Sequence, residues 1–284
     1  MIEPPVVSPA SLADAYRLLA ESEHRPISGG TDLLVQLTGG LGPRPERLLD
    51  LWRLDELRGI EPDGDALSFG ALTTYTEIRR SAACRDLLPA LVDAAGTIGA
   101  AQIQNRGTVG GNIANASPAG DLLPVLLATD ATIVVGSARG ERSIAAAAFW
   151  TGYRRTALQA DELVVRIRIP LVADRQMRFR KVGTRRAQAI SKVVLALSWV
   201  APSAGAPWRS VRLGLGSVAA TPIRATRTEA FLEGRVPTVD TANEAYVRVA
   251  AEIEPINDVR STAEYRRTVT ARVLHRLIRE AGGS

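Results

Sequence analysis

The sequence predicts an α+β fold. Segments with strand alternation and segments with helical spacing are mixed along the chain and do not alternate strictly. Three strand-like segments follow one another at even spacing: "MRFRKVG" (177–183), "KVVLALSWVA" (192–201) and "SVRLGLGSVA" (210–219). Turn signals between them predict an antiparallel sheet, and the tail that follows reads as helices. Breaks in the pattern put natural boundaries near 55–65 and 171–176.

Taken in order, "SPASLADAYRLLAES" (8–22) carries an N-cap serine and apolar residues Leu12, Ala15, Tyr16 and Leu19 at helical spacing. "RPISGGTDLLVQL" (25–37) is a short strand, a glycine pair and an apolar segment. "RLLDLWRLDELRGI" (47–60) is a strand and a turn, and "ALSFGALTTYTEI" (66–78) is a strand leading to a threonine-capped helix. Residues 81–99 read as helix, with Leu87, Leu88, Leu91 and Ile98 on one side. The stretch 107–120 holds too much glycine to be regular. "AGDLLPVLLATDA" (119–131) is a helix with Asp121 at or near its N-cap. "TIVVGS" (132–137) and "ELVVRIRIP" (162–170) are strands, the second ended by Pro170. Helices at 224–234, 241–253 and 262–281 complete the chain.

Composition narrows the function. The chain has 284 residues, 46 % hydrophobic and 23 % charged, as in ordinary soluble globular proteins. There is no apolar run of about 18 residues, so no membrane span is expected. The start "MIEPPVVSP" lacks a basic region followed by an apolar one, which predicts a cytoplasmic protein. The single thiol, Cys84, cannot close an internal disulfide, hold an iron–sulfur cluster or build a structural zinc site. His24 and His275 match no metal-ligand spacing, so no metal site is expected on this chain. The isoelectric point near 9.8 comes with a net charge of only +5, scattered and interleaved with acids. The densest cluster, "RFRKVGTRR" (178–186), has no stacking aromatics beside it, so a solvated surface is expected and nucleic acid is not.

Two glycine-rich loops carry the functional signal: "SGGTDLL" (28–34) and "RGTVGGN" (106–112). Glycine lets successive N–H groups converge on one concavity and lets a ligand approach without a Cβ in the way. Thr31, Thr108 and Asn112 add polar side chains. The pair reads as a diphosphate cradle or as two tight turns. "GLGSVA" (214–219) has the spacing of a dinucleotide fingerprint, but Thr221-Pro222 stands where a helix should run, so it reads as a strand ending in a turn. Asp121 reads as a helix cap or as an acceptor for ribose hydroxyls. Lys192, one of two lysines with Lys181, reads as a solvated strand end or as a charge beside an anionic ring.

"SGGTDLL" together with "QIQNRGTVGGNIANASPAGDLLPVLLATDA" (102–131) closely resembles the FAD-binding subunits of the molybdenum hydroxylases. These include xanthine dehydrogenase and the medium subunit of carbon monoxide dehydrogenase, with a fold shared with vanillyl-alcohol oxidase and p-cresol methylhydroxylase. The resemblance runs over the whole chain, including "TPIRATRTEAFLEG" (221–234). It implies an FAD-binding unit over 1–172, in parts of about 1–57 and 58–172, and a C-terminal unit over 173–284. It implies that Pro26, Ile27, Ser28, Gly29, Gly30, Thr31, Asp32 and Leu33 wrap the FAD diphosphate. Thr108, Val109, Gly110, Gly111 and Asn112 would form the second loop, on the phosphate and ribityl side. Asp121 would take the adenosine ribose, Ile98 would pack on adenine, and Val165 and Lys192 would lie by the flavin ring.

The resemblance also implies partners: an iron–sulfur subunit and a molybdenum-cofactor subunit, with NAD, a quinone or oxygen as electron acceptor. The cysteine count agrees, since the clusters must sit on another chain. The chain departs from the family in three places. "RRAQAIS" (185–191) has Ala189 for an aspartate and Ser191 for an alanine, and Gln104 replaces a common arginine. A stand-alone flavoenzyme that kept the scaffold is the alternative reading, and a non-catalytic binding module is a third.

Overall fold

The computed structural model describes residues 4–185, 188–203 and 205–283, and shows the mixed helix-and-strand architecture that the sequence predicts. A small parallel sheet comes first. Its central strand Leu48–Asp50 is flanked by Val6–Val7 and by Arg25–Ile27. Helix Leu12–Glu21 covers it, capped by Ser11, whose hydroxyl accepts the Asp14 amide at 3.1 Å. Ala15 and Leu19 from that helix meet Leu49, Leu51, Leu54, Leu57 and Val165 in a small core.

The second sheet has five antiparallel strands, in the order Ile60–Asp63, Ala66–Gly70, Leu163–Pro170, Thr132–Ser137, Gly140–Ala145. Leu67, Phe69, Ile133, Val135, Ile167 and Ile169 point into the main core, against helices Tyr75–Arg80, Pro89–Thr97, Val109–Asn115 and Leu123–Ala128. Thr74 and Glu77 form a reciprocal capping box at the first of these helices. Strand Gly140–Ala145 is not expected from the sequence. It lies at the sheet edge with only Ile144 buried, so it has no apolar alternation to read.

The third sheet has four antiparallel strands: Arg175–Val182, Val193–Val200, Arg209–Gly216 and the two-residue Ile223–Arg224. The strand Val193–Val200 is buried on both faces. Val194 and Ala196 join the main core, while Val193, Leu195, Leu197 and Trp199 face helices Val239–Glu252 and Ala263–Ala281. That double burial explains its nearly continuous apolar sequence, broken only by Ser198, whose hydroxyl donates to the Ala128 carbonyl at 2.5 Å. "GLG" in the next strand is a packing device: a Cβ at Gly214 would lie 2.1 Å from the Pro124 carbonyl oxygen.

Two local expectations are corrected. The stretch after Gly107 is not irregular, because Val109–Asn115 is helical with Thr108 as its cap. Glycine is needed within it for close approach: a Cβ on Gly110 would sit 2.7 Å from that of Ala71. Asp121 caps nothing. Helix Leu123–Ala128 starts later, with Leu122 at its N-cap and no side-chain cap.

Candidate cofactor site

The first glycine loop leaves the C-terminal end of the parallel strand Arg25–Ile27 and runs into the short helix Leu33–Thr38. Pro26 and Ile27 are strand residues, and the loop proper begins at Ser28. Gly30 takes φ +76°, a conformation that side chains disfavour. Gly29 is pressed against the second loop, where a Cβ would fall 1.7 Å from the Arg106 carbonyl oxygen. The Ser28 and Thr108 hydroxyls lie 3.0 Å apart. The two loops, distant in sequence, are therefore one assembly. Among the described residues, no protein acceptor meets the amides of Gly29, Gly30, Thr31, Asp32 and Leu33. Such a run of free N–H groups suits an anion. Burial pushes the Asp32 carboxyl up, while Arg154 acts the other way.

The second loop is built differently. Val109 N–H donates to the Thr73 carbonyl at 2.9 Å and Gly110 N–H to that of Ala71 at 2.8 Å. Gly111 N–H donates to the Thr108 hydroxyl at 3.1 Å, and Asn112 N–H to the Thr108 carbonyl at 3.0 Å. Its amides are used up in holding the loop, so it supports the first loop. What it leaves open is a side chain: Asn112 Oδ1 is buried with no partner. A buried acceptor without a donor is costly, and a bound hydroxyl or N–H group would satisfy it. Arg106, which opens the second loop, has its guanidinium 3.7 Å from the centroid of the Trp52 ring.

A third cluster surrounds Asp121. Lys181 from strand Arg175–Val182 donates to Asp121 Oδ2 at 2.6 Å and to the Thr97 carbonyl at 2.9 Å. The Ser191 hydroxyl donates to Asp121 Oδ1. Both side chains of the ion pair are buried, at 7 % exposed for Lys181 and 9 % for Asp121. Burial pushes the Asp121 carboxyl up, and Lys181 and then Ser191 offset part of that. Ile98 follows Thr97 directly. Its carbonyl accepts Gln104 Nε2 at 3.0 Å, and Gln104 Oε1 takes Arg79 at 2.5 Å. The glutamine thus braces the turn on which Ile98 stands.

Two of the expected residues lie elsewhere. A bulge between Val164 and Arg166 turns Val165 into the small core, where it is 1 % exposed. The Lys192 ammonium lies 5.0 Å from the ring centroid of Tyr265 on the last helix. The lysine that meets Asp121 is Lys181, and Ser191 and Thr97 join it there. The sequence marks Lys181 only as a rare lysine in an arginine-rich chain and Ser191 only as a departure from the family pattern, and it marks Thr97 not at all. Of the altered "RRAQAIS" segment, Arg186 and Ala187 lie outside the described residues.

The donor set matches a dinucleotide: a row of free amides, a buried open acceptor, and a carboxylate fixed beside an apolar side chain. The chain matches the family model described as "FAD binding domain in molybdopterin dehydrogenase" over residues 2–172. Over 178–281 it matches "CO dehydrogenase flavoprotein C-terminal domain". It is 33 % identical to the glyceraldehyde dehydrogenase medium chain of Sulfolobus acidocaldarius, covering 91 % of each chain. It is 31 % identical to the carbon monoxide dehydrogenase medium chain of Hydrogenophaga pseudoflava, covering 96 % of this chain and 95 % of that one. Among solved structures, reconstituted CO dehydrogenase from Oligotropha carboxidovorans superimposes with a TM-score of 0.94 at 29 % identity, covering 100 % of this chain and 99 % of that one. Quinoline 2-oxidoreductase from Pseudomonas putida 86 gives a TM-score of 0.92 at 28 % identity with the same coverage. The match over nearly the full length, on a site whose donors suit the same cofactor, makes the chain a member of the FAD-binding flavoprotein subunits of the molybdenum hydroxylases.

Proposed function

We propose that this chain works within a complex, with an iron–sulfur subunit and a molybdenum-cofactor subunit as its partners. In that complex it receives electrons from the iron–sulfur clusters and delivers them to an external acceptor such as NAD, a quinone or oxygen. When bound, FAD supplies the exchange between single-electron and two-electron transfer. The chain supplies position and electrostatics. Residues 1–172 form the FAD-binding unit, and 173–284 the unit that lends it Lys181 and Ser191. The free amides of Gly29, Gly30, Thr31, Asp32 and Leu33 hold the diphosphate, while Thr108, Val109, Gly110 and Gly111 hold that loop in place. Asn112 Oδ1 accepts a donor from the cofactor. Asp121 takes the adenosine ribose hydroxyls, and Ile98 packs beside adenine. Val165 and Lys192 are left out of this assignment, since their side chains are engaged elsewhere.

The observation that carries the reading is the row of five amides without a protein acceptor among the described residues, together with the unpartnered Asn112 Oδ1. The place of action is the cytoplasm in this proposal. No helix among the described residues is long and apolar enough to cross a membrane. Two measurements test the reading. The purified chain is expected to be yellow and to release FAD on denaturation; a colourless chain that takes up no added FAD overturns it. Pull-down of the native complex is expected to bring two further chains with iron and molybdenum. A flavin-loaded chain purified without either metal would favour the stand-alone alternative.

A further inference from the structure

Besides the Lys181 ion pair, two restraints on Asp121 lead to one residue of the C-terminal unit. Ser217 N–H donates to the Pro118 carbonyl at 2.8 Å, which holds the backbone just before Asp121. Ser217 Oγ donates to the Ser191 carbonyl at 3.0 Å, and the Ser191 hydroxyl donates to Asp121 Oδ1. Ser217 itself sits at φ 64°, a left-handed conformation that persists in a non-glycine residue only when its surroundings fix it. Arg266 does that: its Nη1 donates to the Ser217 carbonyl at 2.7 Å and its Nη2 to Asp258 Oδ1 at 2.7 Å. Arg266 is 4 % exposed on helix Ala263–Ala281. A guanidinium is costly to bury, so its two charged or polar partners set its position closely.

We infer that Ser191 and Arg266 are positioning residues for recognition of the cofactor's adenosine half, Ser191 acting on Asp121 directly and Arg266 acting through Ser217 and Ser191. This rests on the reading that Asp121 takes the adenosine ribose. The chain of contacts runs Arg266, Ser217, Ser191, Asp121, and at Pro118 it also grips the main chain. Ser191 thus gives the Asp121 carboxylate a second donor beside Lys181. Ser191 is 1 % exposed, so water does not compete for that bond.

The test compares binding of FAD, ADP and FMN to the full chain and its variants. ADP carries the adenosine half, and FMN lacks it. Ser191→Ala is expected to weaken FAD and ADP binding by the same factor, roughly tenfold for one lost charge-assisted hydrogen bond, and to leave FMN binding unchanged. Arg266→Gln is expected to show the same pattern, and Arg266→Lys to recover part of it. A purely structural role would weaken all three ligands together. Equal FAD affinity in Ser191→Ala and wild type, or an equal loss of FMN, overturns the inference even if Arg266→Gln fails to fold. Failure of the wild type to bind FAD would instead overturn the functional reading. Loss of FAD binding in Asp121→Asn without loss in Ser191→Ala would leave that reading standing and remove only the relay.

Discussion

The Ser28 and Thr108 hydroxyls, eighty residues apart in the chain, lie 3.0 Å from each other at the junction of the two glycine loops. The same Thr108 oxygen accepts the Gly111 amide at 3.1 Å. One hydroxyl therefore both caps helix Val109–Asn115 and ties it to the loop with the free amides.

Thr108→Val removes the cap and the tie at once. The expected cost is about 1–2 kcal/mol in urea unfolding, with weaker FAD binding. Thr108→Ser keeps both bonds and is expected to stay near wild type. Ser28→Ala loses only the tie, so its cost is expected to be smaller than that of Thr108→Val.

Gly29→Ala places a methyl group where the Arg106 carbonyl oxygen stands, at 1.7 Å. The loops must separate. FAD affinity is expected to fall at least tenfold, about 1.4 kcal/mol. Gly152→Ala is the control, because its Cβ would meet nothing closer than Arg155 at 3.5 Å. Flavin fluorescence titration reads both.

Lys181→Met leaves the buried Asp121 carboxylate with only Ser191 as a charge-stabilising partner. The expected cost in the FAD-free chain is about 3 kcal/mol. Adding Asp121→Asn removes the stranded charge and is expected to restore most of that loss. A double-mutant cycle in urea measures the coupling; additive effects would show that the pair is not coupled.

Glu162 gives the pH dependence. Arg142 grips its carboxylate with two bonds of 2.7 Å, and the Gln159 amide adds a third at 2.8 Å. Arg142 first, and then the Gln159 amide, hold the Glu162 carboxyl below its ordinary value of 4.5 against the effect of burial. A lowered carboxyl stabilises the fold above the unfolded value and loses that contribution as pH falls through the folded one. Wild type should therefore lose stability as pH drops below about 4.5. Arg142→Gln is expected to flatten that limb, with a loss of about 1 kcal/mol at neutral pH. Urea unfolding at a series of pH values checks it.

What could be read in the sequence was local. Caps at Ser11 and Thr74, the alternation in "LVVRIRIP" and the mostly apolar run 193–200 each follow from neighbours a few residues away. The glycine loops could be located the same way. Their division of labour could not, because the amides of 109–112 are consumed by Ala71, Thr73 and Thr108, and the first two of these lie on another segment. Lys181 sits among arginines in the sequence, while Lys192 opens an apolar strand. Which one turns toward Asp121 depends on the register that pairs Lys181 with Val194, a property of the sheet and not of either segment. The burial of Val165 in the small core likewise goes with the register shift between Val164 and Arg166, which the sequence of the strand does not show.

The position of Lys181 in the chain also orders events in time. Both glycine loops and Asp121 leave the ribosome before Lys181, Ser191 and Arg266 are made. Until then the aspartate has neither its counter-charge nor its clamp. In the proposed assignment the adenosine end of the pocket is finished only when the last helix docks, which would make stable cofactor loading a late step in folding.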